Sequence, residues 1–580
     1  MIYRWLLRIL PLLFSGLCLI IQAQPIPLPL HRDIAWKYEL RNPSFSTPQF
    51  SSCLPLLKKI SRPDSNEIPT PQWNALGKEL IPITIGKLNI GVSPLMNFSA
   101  VTSTASNYVF NGFSMSNSGL EASYGLSLTA HTGKNWSAGL RWMHTWSDGF
   151  MNNFNYYPTQ DFSPSRINYF SYFYLPGHGL NYLRNSQNLY NRSVYESDYI
   201  DTWLAFTPKG PFEFILAKGK PFIGDGYRSL ILSDNSATYP YFRINTRIGR
   251  CQYTNLFASM DNLFGLQNPN ISQPTFNYGG IQYLASSYSF SALGNPNLQA
   301  PGIQPTRKQM ALQMLEVKLT RRWYAGFVEA IIWTSSVAGG PNRWDINYLN
   351  PIIFYHPLNF SLNSMGNALI ALTSRYEIGK TGRIYGQFVI DDFNTTSLSK
   401  GNGFIQNKIA AQLGYRVQRP FGVKGFQFLV ETNFARPYTY GNRRQEINYT
   451  HSGQALAHPA GANFFEGLLI LQYQYKNLTL EYKTVNRIQG KDWNLSEHYG
   501  SNIFLNESLI YEFAYNNRFL QGKGYRFSDH QIRAAFILSA PSALTAEISY
   551  NFTAFHSWSL DVQNQLMLGI KCQLYNYYRD

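Results

Sequence analysis

Hydrophobic and polar side chains alternate strictly along the segment 119–146. In its first half every second position is apolar or aromatic, at Leu120, Ala122, Tyr124, Leu126, Leu128 and Ala130. A period of two is that of a β-strand with one apolar face. After a polar turn at 132–135 the second half repeats the pattern, with Trp136, Ala138, Leu140, Trp142 and Trp146. The segment predicts a β-hairpin whose arms are long enough to cross a bilayer at a tilt.

The same alternation continues to the end of the chain. Further hairpins are predicted at 315–333 and 469–483, and a closing strand at 566–574, which ends in tyrosines. The pattern predicts an all-β fold, a transmembrane antiparallel outer-membrane β-barrel of about 18 strands. Long loops are expected outside the cell and short turns in the periplasm. An even number of strands requires the segment 519–527 to be a weak extra strand.

The start of the chain differs from the rest. Residues 1–23 have Arg4 and Arg8 ahead of an apolar run, which predicts a cleavable signal peptide. Residues 24–81 are rich in proline and predict an extended N-terminal arm with one short helix at 54–61. This arm is either a plug, a periplasmic cap or an ordered leader. The barrel is predicted to occupy residues 82–580.

Composition supports a barrel in the outer membrane of a two-membrane bacterium. Aromatic residues make up 16% of the chain, with 40 Tyr, 39 Phe and 12 Trp, while the mean hydropathy is only −0.24. Such barrels place aromatic girdles at both membrane interfaces. The formal net charge of +16 comes without a nucleic-acid-binding pattern, so acidic surface polysaccharide and outer-membrane lipids are the expected partners. The cysteines show no metal or disulfide pattern.

The barrel interior is predicted to carry charges of both signs. A charged side chain facing lipid at mid-depth costs about 2–4 kcal/mol, so the charged residues of the strands should face the lumen. These residues are Glu121, Arg141, Glu316, Lys318, Glu329, Glu481, Lys483 and Glu547. The lumen is therefore either a conduit or a plugged interior that salt bridges hold.

The segment 147–197 lacks a strand-like period and is crowded with aromatic residues, at Phe154, Tyr156, Tyr157, Tyr169, Phe170, Tyr172 and Tyr174. A connection of this length without a spanning pattern commonly carries function. Aromatic rings stack on the apolar faces of sugars, so one interpretation is a sugar-contacting loop. The other is a lid that packs on itself over the barrel mouth.

Five motifs in order along the chain suggest a family. They are GYRSLILSD at 226–234, NYLNPIIFY at 347–355, GQFVIDDF at 386–393, ARPYTY at 435–440 and NYTHSGQALAHPAGANF at 448–464. As a set they resemble the Wzi-like capsule-assembly family, and more closely its branch of RemB-type proteins of gliding bacteria. The resemblance implies an outer-membrane barrel that attaches capsular polysaccharide. The helical bundle found beneath the barrel in the best-understood branch has no counterpart in residues 24–81.

Nine residues within these motifs are candidates for polysaccharide binding or for a network in the lumen. They are Tyr227, Arg228, Asp234, Asp391, Asp392, Arg436, Tyr438, His451 and His458. Arginine forms bidentate contacts with uronate or phosphate groups. The alternative is that Arg228 pairs with Asp234, Asp391 or Asp392 and fixes a plug.

Catalysis is not expected. Asp391 and Asp392 are adjacent on a strand and point to opposite faces, so they do not flank one glycosidic bond. His451 and His458 lack a standard metal-ligand spacing, and no nucleophile elbow occurs. We therefore expect no metal, no cofactor and no enzymatic activity. The leading hypothesis is a polysaccharide-binding barrel, and the alternatives are a component of gliding motility or surface adhesion, with cell-surface or motility proteins as partners, or a passive porin.

Overall fold

The structure is a computed structural model. It describes residues 27–30, 53–54, 56–59, 81–103, 108–110, 113–115, 119–132, 135–148, 172–175, 179–184, 194–262, 275–278, 281–284, 306–334, 348, 366–379, 381–392, 399–452, 454–491, 498–504, 507, 514–539, 544–556 and 560–572. The predicted signal peptide lies outside the described residues. So do five of the aromatic residues of the 147–197 segment, from Phe154 to Phe170.

A closed antiparallel barrel dominates the fold. Among the described residues, eighteen strands pair in sequence order, and the last pairs with the first. They are β1 Leu88–Ser103, β2 Gly119–Thr132, β3 Trp136–Asp148, β4 Val194–Phe206, β5 Phe212–Gly219, β6 Tyr239–Ile248, β7 Cys251–Asn262, β8 Thr306–Lys318, β9 Trp323–Thr334, β10 Asn367–Ile378, β11 Gly382–Asp392, β12 Lys408–Gln418, β13 Phe426–Ala435, β14 Phe464–Tyr475, β15 Leu478–Lys491, β16 Lys523–Ser539, β17 Leu544–His556 and β18 Leu560–Cys572. The predicted fold class and strand number are confirmed.

Shorter elements lie beside this ring. The short strands are Pro27–Leu30, Cys53–Leu54, Leu56–Lys59, Ile81–Ile85, Tyr108–Phe110, Phe113–Met115, Tyr172–Leu175, Gly179–Arg184, Phe222–Ile223, Thr275–Tyr278, Ile281–Leu284, Thr450–His451 and Gln454–Ala455. Two 3₁₀ turns occur at Pro420–Gly422 and Gln445–Ile447. Tyr172 and Tyr174 of the aromatic segment lie on the strand Tyr172–Leu175, in a hairpin that extends from β4.

The predicted helix at 54–61 is wrong. Its described residues form the strands Cys53–Leu54 and Leu56–Lys59, which pair with Phe222–Ile223 and Pro27–Leu30. Pro55 disfavours a helical conformation of the residue before it, and both strands are stabilised by partners distant in sequence. The arm therefore contributes a strand to the 220–238 segment, which lies inside the barrel.

The outward face of the ring is apolar and exposed. Leu372, Leu413, Ile532 and Leu568 are between 52% and 60% exposed. A closed ring leaves no unpaired strand edge, and an apolar outer band is what lipid requires, so the barrel spans a membrane in the manner of outer-membrane proteins. No helix within the described ranges is long and apolar enough to cross a membrane.

Two topological details differ from prediction. Phe519–Phe527 is not a strand of its own, because β16 runs unbroken from Lys523 to Ser539 and the even count of strands needs no extra member. Glu329 does not face the lumen. It alternates with Tyr324 and Val328, which face inward, and shares the outer face of β9 with Trp323.

Glu329 is nevertheless only 2% exposed, because this part of the outer face is covered. The nearby outward residues Gln313 and Ile331 are also fully buried, and Tyr348 packs on Trp333 with ring centroids 4.6 Å apart. The rule that places charges in the lumen assumes lipid outside. It fails where protein replaces the lipid.

Candidate functional site

Two connections on the side of the long loops fold into the lumen and form what we call the plug, residues 220–238 and 436–463. Their apolar side chains, including Leu230, Ile231 and Leu456, are fully buried against inward residues of the strands. Because the short turns mark the periplasmic end, the plug enters from the extracellular end. The polar contacts that hold it are the candidate site.

Glu466, an inward residue of β14, is the centre of the first group of contacts. Arg228 donates from Nε to its Oε1 at 3.1 Å, His458 lies 2.8 Å from the same oxygen, and Arg487 donates to Oε2 at 3.5 Å. All four side chains are at most 3% exposed. Glu466 was not among the aspartates that the sequence suggested as partners of Arg228. A buried carboxylate thus ties both parts of the plug to the wall.

The backbone of the 220–238 segment is held by inward residues of three neighbouring strands. Glu431 accepts hydrogen bonds from the backbone N–H groups of Tyr227 and Arg228, at 2.8 and 3.1 Å. Gln387 accepts the N–H of Leu230 at 2.8 Å, and Gln412 donates to the carbonyl of Arg228 at 3.0 Å. Tyr227 is half-buried, and its ring lies under the guanidinium of Arg228 at 5.1 Å. These bonds satisfy loop groups that would otherwise be buried without partners.

Asp225 anchors the periplasmic side of the plug. Its Oδ1 accepts hydrogen bonds from Arg375 and Arg383, each at 3.2 Å. Burial alone would raise the pKa of Asp225, but Arg375, Arg383 and Arg416 outweigh burial and hold that pKa below its usual value. Asp225 is therefore a carboxylate at neutral pH.

The extracellular part of the plug rests on Asp391 and Lys408. Asp391 accepts the backbone N–H of Tyr440 at 2.9 Å, and Lys408 pairs with Glu507 at 2.9 Å. Asp392 faces outward and is exposed, as expected for the neighbour of an inward residue. The two aspartates are therefore not brought together, although a bulge follows Ile390.

Both candidate histidines are buried in the plug. The Nδ1 of His458 accepts the N–H of Ala460 at 3.1 Å, so Nε2 carries the proton and donates to Glu466. The Nδ1 of His451 accepts the N–H of Asp261 at 3.1 Å. Burial lowers the pKa of His458 to about 4 and that of His451 to about 3, so both rings are neutral at physiological pH.

These pKa values predict that the plug loosens in acid. In the unfolded chain His458 takes up a proton near pH 6.5, whereas in the folded protein it does so only near pH 4. Stability should therefore rise with pH between 4 and 6.5 and be lost as the pH falls, with about 3 kcal/mol from this residue. The check is the midpoint of thermal unfolding in detergent against pH. His458→Gln should flatten the slope, leaving the part due to His451, and an equal slope in both proteins would contradict the assignment.

Two of the remaining candidates, Tyr438 and Asp234, are buried. Tyr438 is buried and donates from its hydroxyl to the carbonyl of His498 at 2.5 Å. Asp234 is 6% exposed and lies near Lys220. Burial lowers the pKa of Lys220 to about 8, although the negative charges of Asp234 and Asp201 act to raise it. Neither residue is open to a ligand from outside.

Arg436 differs from the other candidates. It follows the extracellular end of β13, and its backbone bonds to Ile409 and Asn463 fix its position. Its side chain is only half-buried, and no described residue pairs with its guanidinium. Arg436 is thus a cation held in a fixed position at the extracellular rim, and it has no side-chain partner among the described residues.

Sequence reasoning missed the wall residues Glu466, Glu431 and Gln387, and Asp225 of the plug. The inward positions of the three wall residues follow from strand alternation, which was the available signal. Their partners lie up to 238 residues away, so only the folded path of the plug reveals them.

The fold and this network define a membrane-spanning β-barrel with an internally bonded plug. No protein-family model matches the chain, and no curated protein does. Among solved structures, the chain is similar to Wzi of Escherichia coli, described as an outer-membrane, carbohydrate-binding β-barrel involved in group 1 capsule assembly. The match has 11% identity and a TM-score of 0.49 and covers 95% of this chain and 100% of that one.

Two further solved structures are similar over a smaller part of the chain. OccAB2 of Acinetobacter baumannii matches with 7% identity and a TM-score of 0.39, covering 83% of this chain and 96% of that one. OpdK of Pseudomonas aeruginosa, solved with vanillate, matches with 8% identity and a TM-score of 0.38, covering 83% and 97%. At these identities the likeness concerns the barrel fold alone.

Proposed function

We propose that this protein is a non-enzymatic barrel of the bacterial outer membrane that binds acidic polysaccharide at the cell surface. The observation that carries the proposal is Arg436, a half-buried residue at the extracellular rim whose guanidinium no described residue neutralises. A planar guanidinium matches the carboxylate of a uronate in a bidentate geometry. Arg436 is the first residue of the 436–463 part of the plug. Its backbone is hydrogen-bonded to Ile409 of β12 and to Asn463, and these bonds hold it in place.

The buried network favours a platform over a wide pore. Buried ion pairs bond the plug to the wall, and they include those of Arg228 with Glu466 and of Asp225 with Arg375. Separating such buried charges has a large free-energy cost. A ligand that meets a pre-ordered surface pays less conformational entropy than one that must order loops. The plug then serves to hold the extracellular surface in shape.

The test is the affinity of purified protein in detergent for a polyuronate, measured by isothermal titration calorimetry. Arg436→Gln should weaken binding about ten- to a hundredfold, because a charge-assisted hydrogen bond contributes about 1.5–3 kcal/mol. Arg250→Gln is the matched control, since Arg250 is exposed at the opposite, periplasmic end. Equal affinity of the Arg436 variant and the unmodified protein would remove Arg436 from the site, and no binding by the unmodified protein would reject the proposal.

A second measurement connects the binding to the cell. Deletion of the gene should release acidic glycan from cells into the medium, and the unmodified gene, but not the Arg436→Gln form, should restore retention. A spreading defect with full glycan retention would support the motility hypothesis instead.

A further inference from the structure

The outward face of the barrel carries different charges on its two sides. Among the described residues, the outward positions of β13–β18 hold no aspartate or glutamate. Elsewhere the outward face does hold acids near the extracellular end, namely Asp198 on β4, Asp261 on β7 and Asp392 on β11. The side formed by β13–β18 is therefore the one that an anion in the outer leaflet meets without repulsion from a carboxylate.

Arg526 of β16 is the principal cation on this side. It is exposed and alternates with buried inward residues of β16, so its side chain points away from the lumen. His556, its register partner on β17, is exposed as well. Neither side chain has a hydrogen-bond or ion-pair partner in the part of the chain that the structure describes. Arg307, an outward arginine at the same end of β8, differs because the acid Asp261 is its register partner.

Two tyrosines on the outward face mark the level of the membrane interface beside Arg526. The hydroxyl of Tyr482 lies 3.0 Å from Nδ1 of His530, and that of Tyr550 donates to Oδ1 of Asn564 at 2.8 Å. Both partners lie on the extracellular side of the ring, as expected for an aromatic girdle whose polar ends face the headgroups. Arg526 lies four residues beyond His530 on the same strand, which places it about 10 Å higher at a strand tilt of about 40°.

This height favours one kind of lipid. The polar layer of an ordinary bilayer is about 5–8 Å thick on each side, so the phosphate of a phospholipid lies below the level of Arg526. A headgroup built of phosphorylated sugars is taller and reaches it. Between the girdle and Arg526, the hydroxyl of Ser528 donates to Asn486 at 2.8 Å, and both side chains face outward. Hydroxyl and amide groups have further donors and acceptors to offer to sugar hydroxyls.

A second arginine reaches the same outer edge from a loop. Phe519 packs edge-on against Phe434, an outward residue of β13, with ring centroids 5.9 Å apart. The adjacent Arg518 is exposed, and within the described ranges its side chain has no partner. Asn463 fixes this loop through hydrogen bonds to its backbone at 2.8 and 2.9 Å. Arg518 thus lies beside the end of β13, which is about 14 Å across the sheet from Arg526.

We propose that the outer face of β15–β17, with Arg518 and Arg526 at its extracellular edge, binds the phosphorylated sugar headgroup of a glycolipid in the outer leaflet. The two arginines form charge-assisted hydrogen bonds with phosphates, and the outward amide and hydroxyl groups contact the sugars. The apolar band below, where Ile532 is 60% exposed, contacts the acyl chains. This site lies on the outside of the barrel and is separate from the binding of polysaccharide at Arg436.

The test is the binding of rough lipopolysaccharide with a phosphorylated inner core to the delipidated full chain in detergent, measured by native mass spectrometry. The unmodified protein should bind it at least tenfold more tightly than its dephosphorylated form or phosphatidylglycerol. Arg526→Gln should weaken this binding about five- to tenfold. Arg307→Gln is the matched control and should leave it unchanged, since Arg307 is exposed and outward at the same end but beside Asp261. Equal binding of the three lipids, or equal losses in the two variants, would overturn the proposal.

Polyuronate binding by the Arg526 variant keeps the two proposals apart. Arg526 lies three strands from β13, whose end carries Arg436, so titration calorimetry should give the polyuronate affinity of the unmodified protein. Equal losses of polyuronate and lipopolysaccharide affinity would show one shared site and overturn the separate one. Adding Arg518→Gln to Arg526→Gln should weaken lipopolysaccharide binding further, and an unchanged affinity would contradict a site built on both arginines.

Discussion

Replacing Glu466 with glutamine should destabilise the protein by about 3–5 kcal/mol, the usual cost of removing one partner from a buried ion pair. The loss leaves Arg228 and Arg487 facing each other without their shared anion, at 0% and 3% exposure. It also removes the carboxylate that accepts the hydrogen bond from Nε2 of His458. The measurement is the free energy of unfolding in detergent, followed by tryptophan fluorescence in urea.

Glu481→Gln is the matched control for this variant. Glu481 also faces the lumen, but it is 20% exposed and lies 4.0 Å from its partner Arg533. Such a solvated pair contributes at most about 1 kcal/mol. Similar losses for the two variants would show that the group around Glu466 does not hold the plug.

Much of the barrel could be predicted because its determinant is local. The alternation from Leu120 to Ala130 places apolar side chains on one face wherever the strand pairs, and β2 and β3 appear where this pattern predicts them. Glu329 shows the limit of the separate rule that charged residues of the strands face the lumen. Its outward position follows from alternation with Tyr324, but the cover over it, which includes Tyr348, cannot be read from the strand itself.

The plug could not be assembled from the sequence, because its contacts are long-range. The motif 226–234 identifies Arg228 as distinctive, yet many inward acids are possible partners, and the pairing with Glu466 depends on where the segment enters the lumen. The same holds for Leu54, the first residue of the predicted helix 54–61. It lies on the strand Cys53–Leu54, whose partner Phe222–Ile223 lies in the plug and is distant in sequence.

Replacing Asp225 with asparagine should also loosen the plug, by about 2–4 kcal/mol, because buried arginines are left with less negative charge. The cost is smaller than for Glu466 since Arg375 keeps contacts with Glu316 and Glu377, at 3.7 and 3.4 Å. Asp392→Asn, on an exposed outward aspartate, is the matched control and should change stability little. The check is again urea unfolding in detergent.

A double variant separates lost charge balance from lost packing. If the cost of Asp225→Asn is electrostatic, Arg383→Gln should restore part of the stability, because it removes one of the cations that Asp225 neutralises. Additive losses in the double variant would instead assign the effect to packing. The pKa of Asp225 is held below its usual value, so its pairs are lost only in stronger acid than the window of His458. The pH slope between 4 and 6.5 should therefore survive Asp225→Asn, and its disappearance would place the acid sensitivity at Asp225 instead.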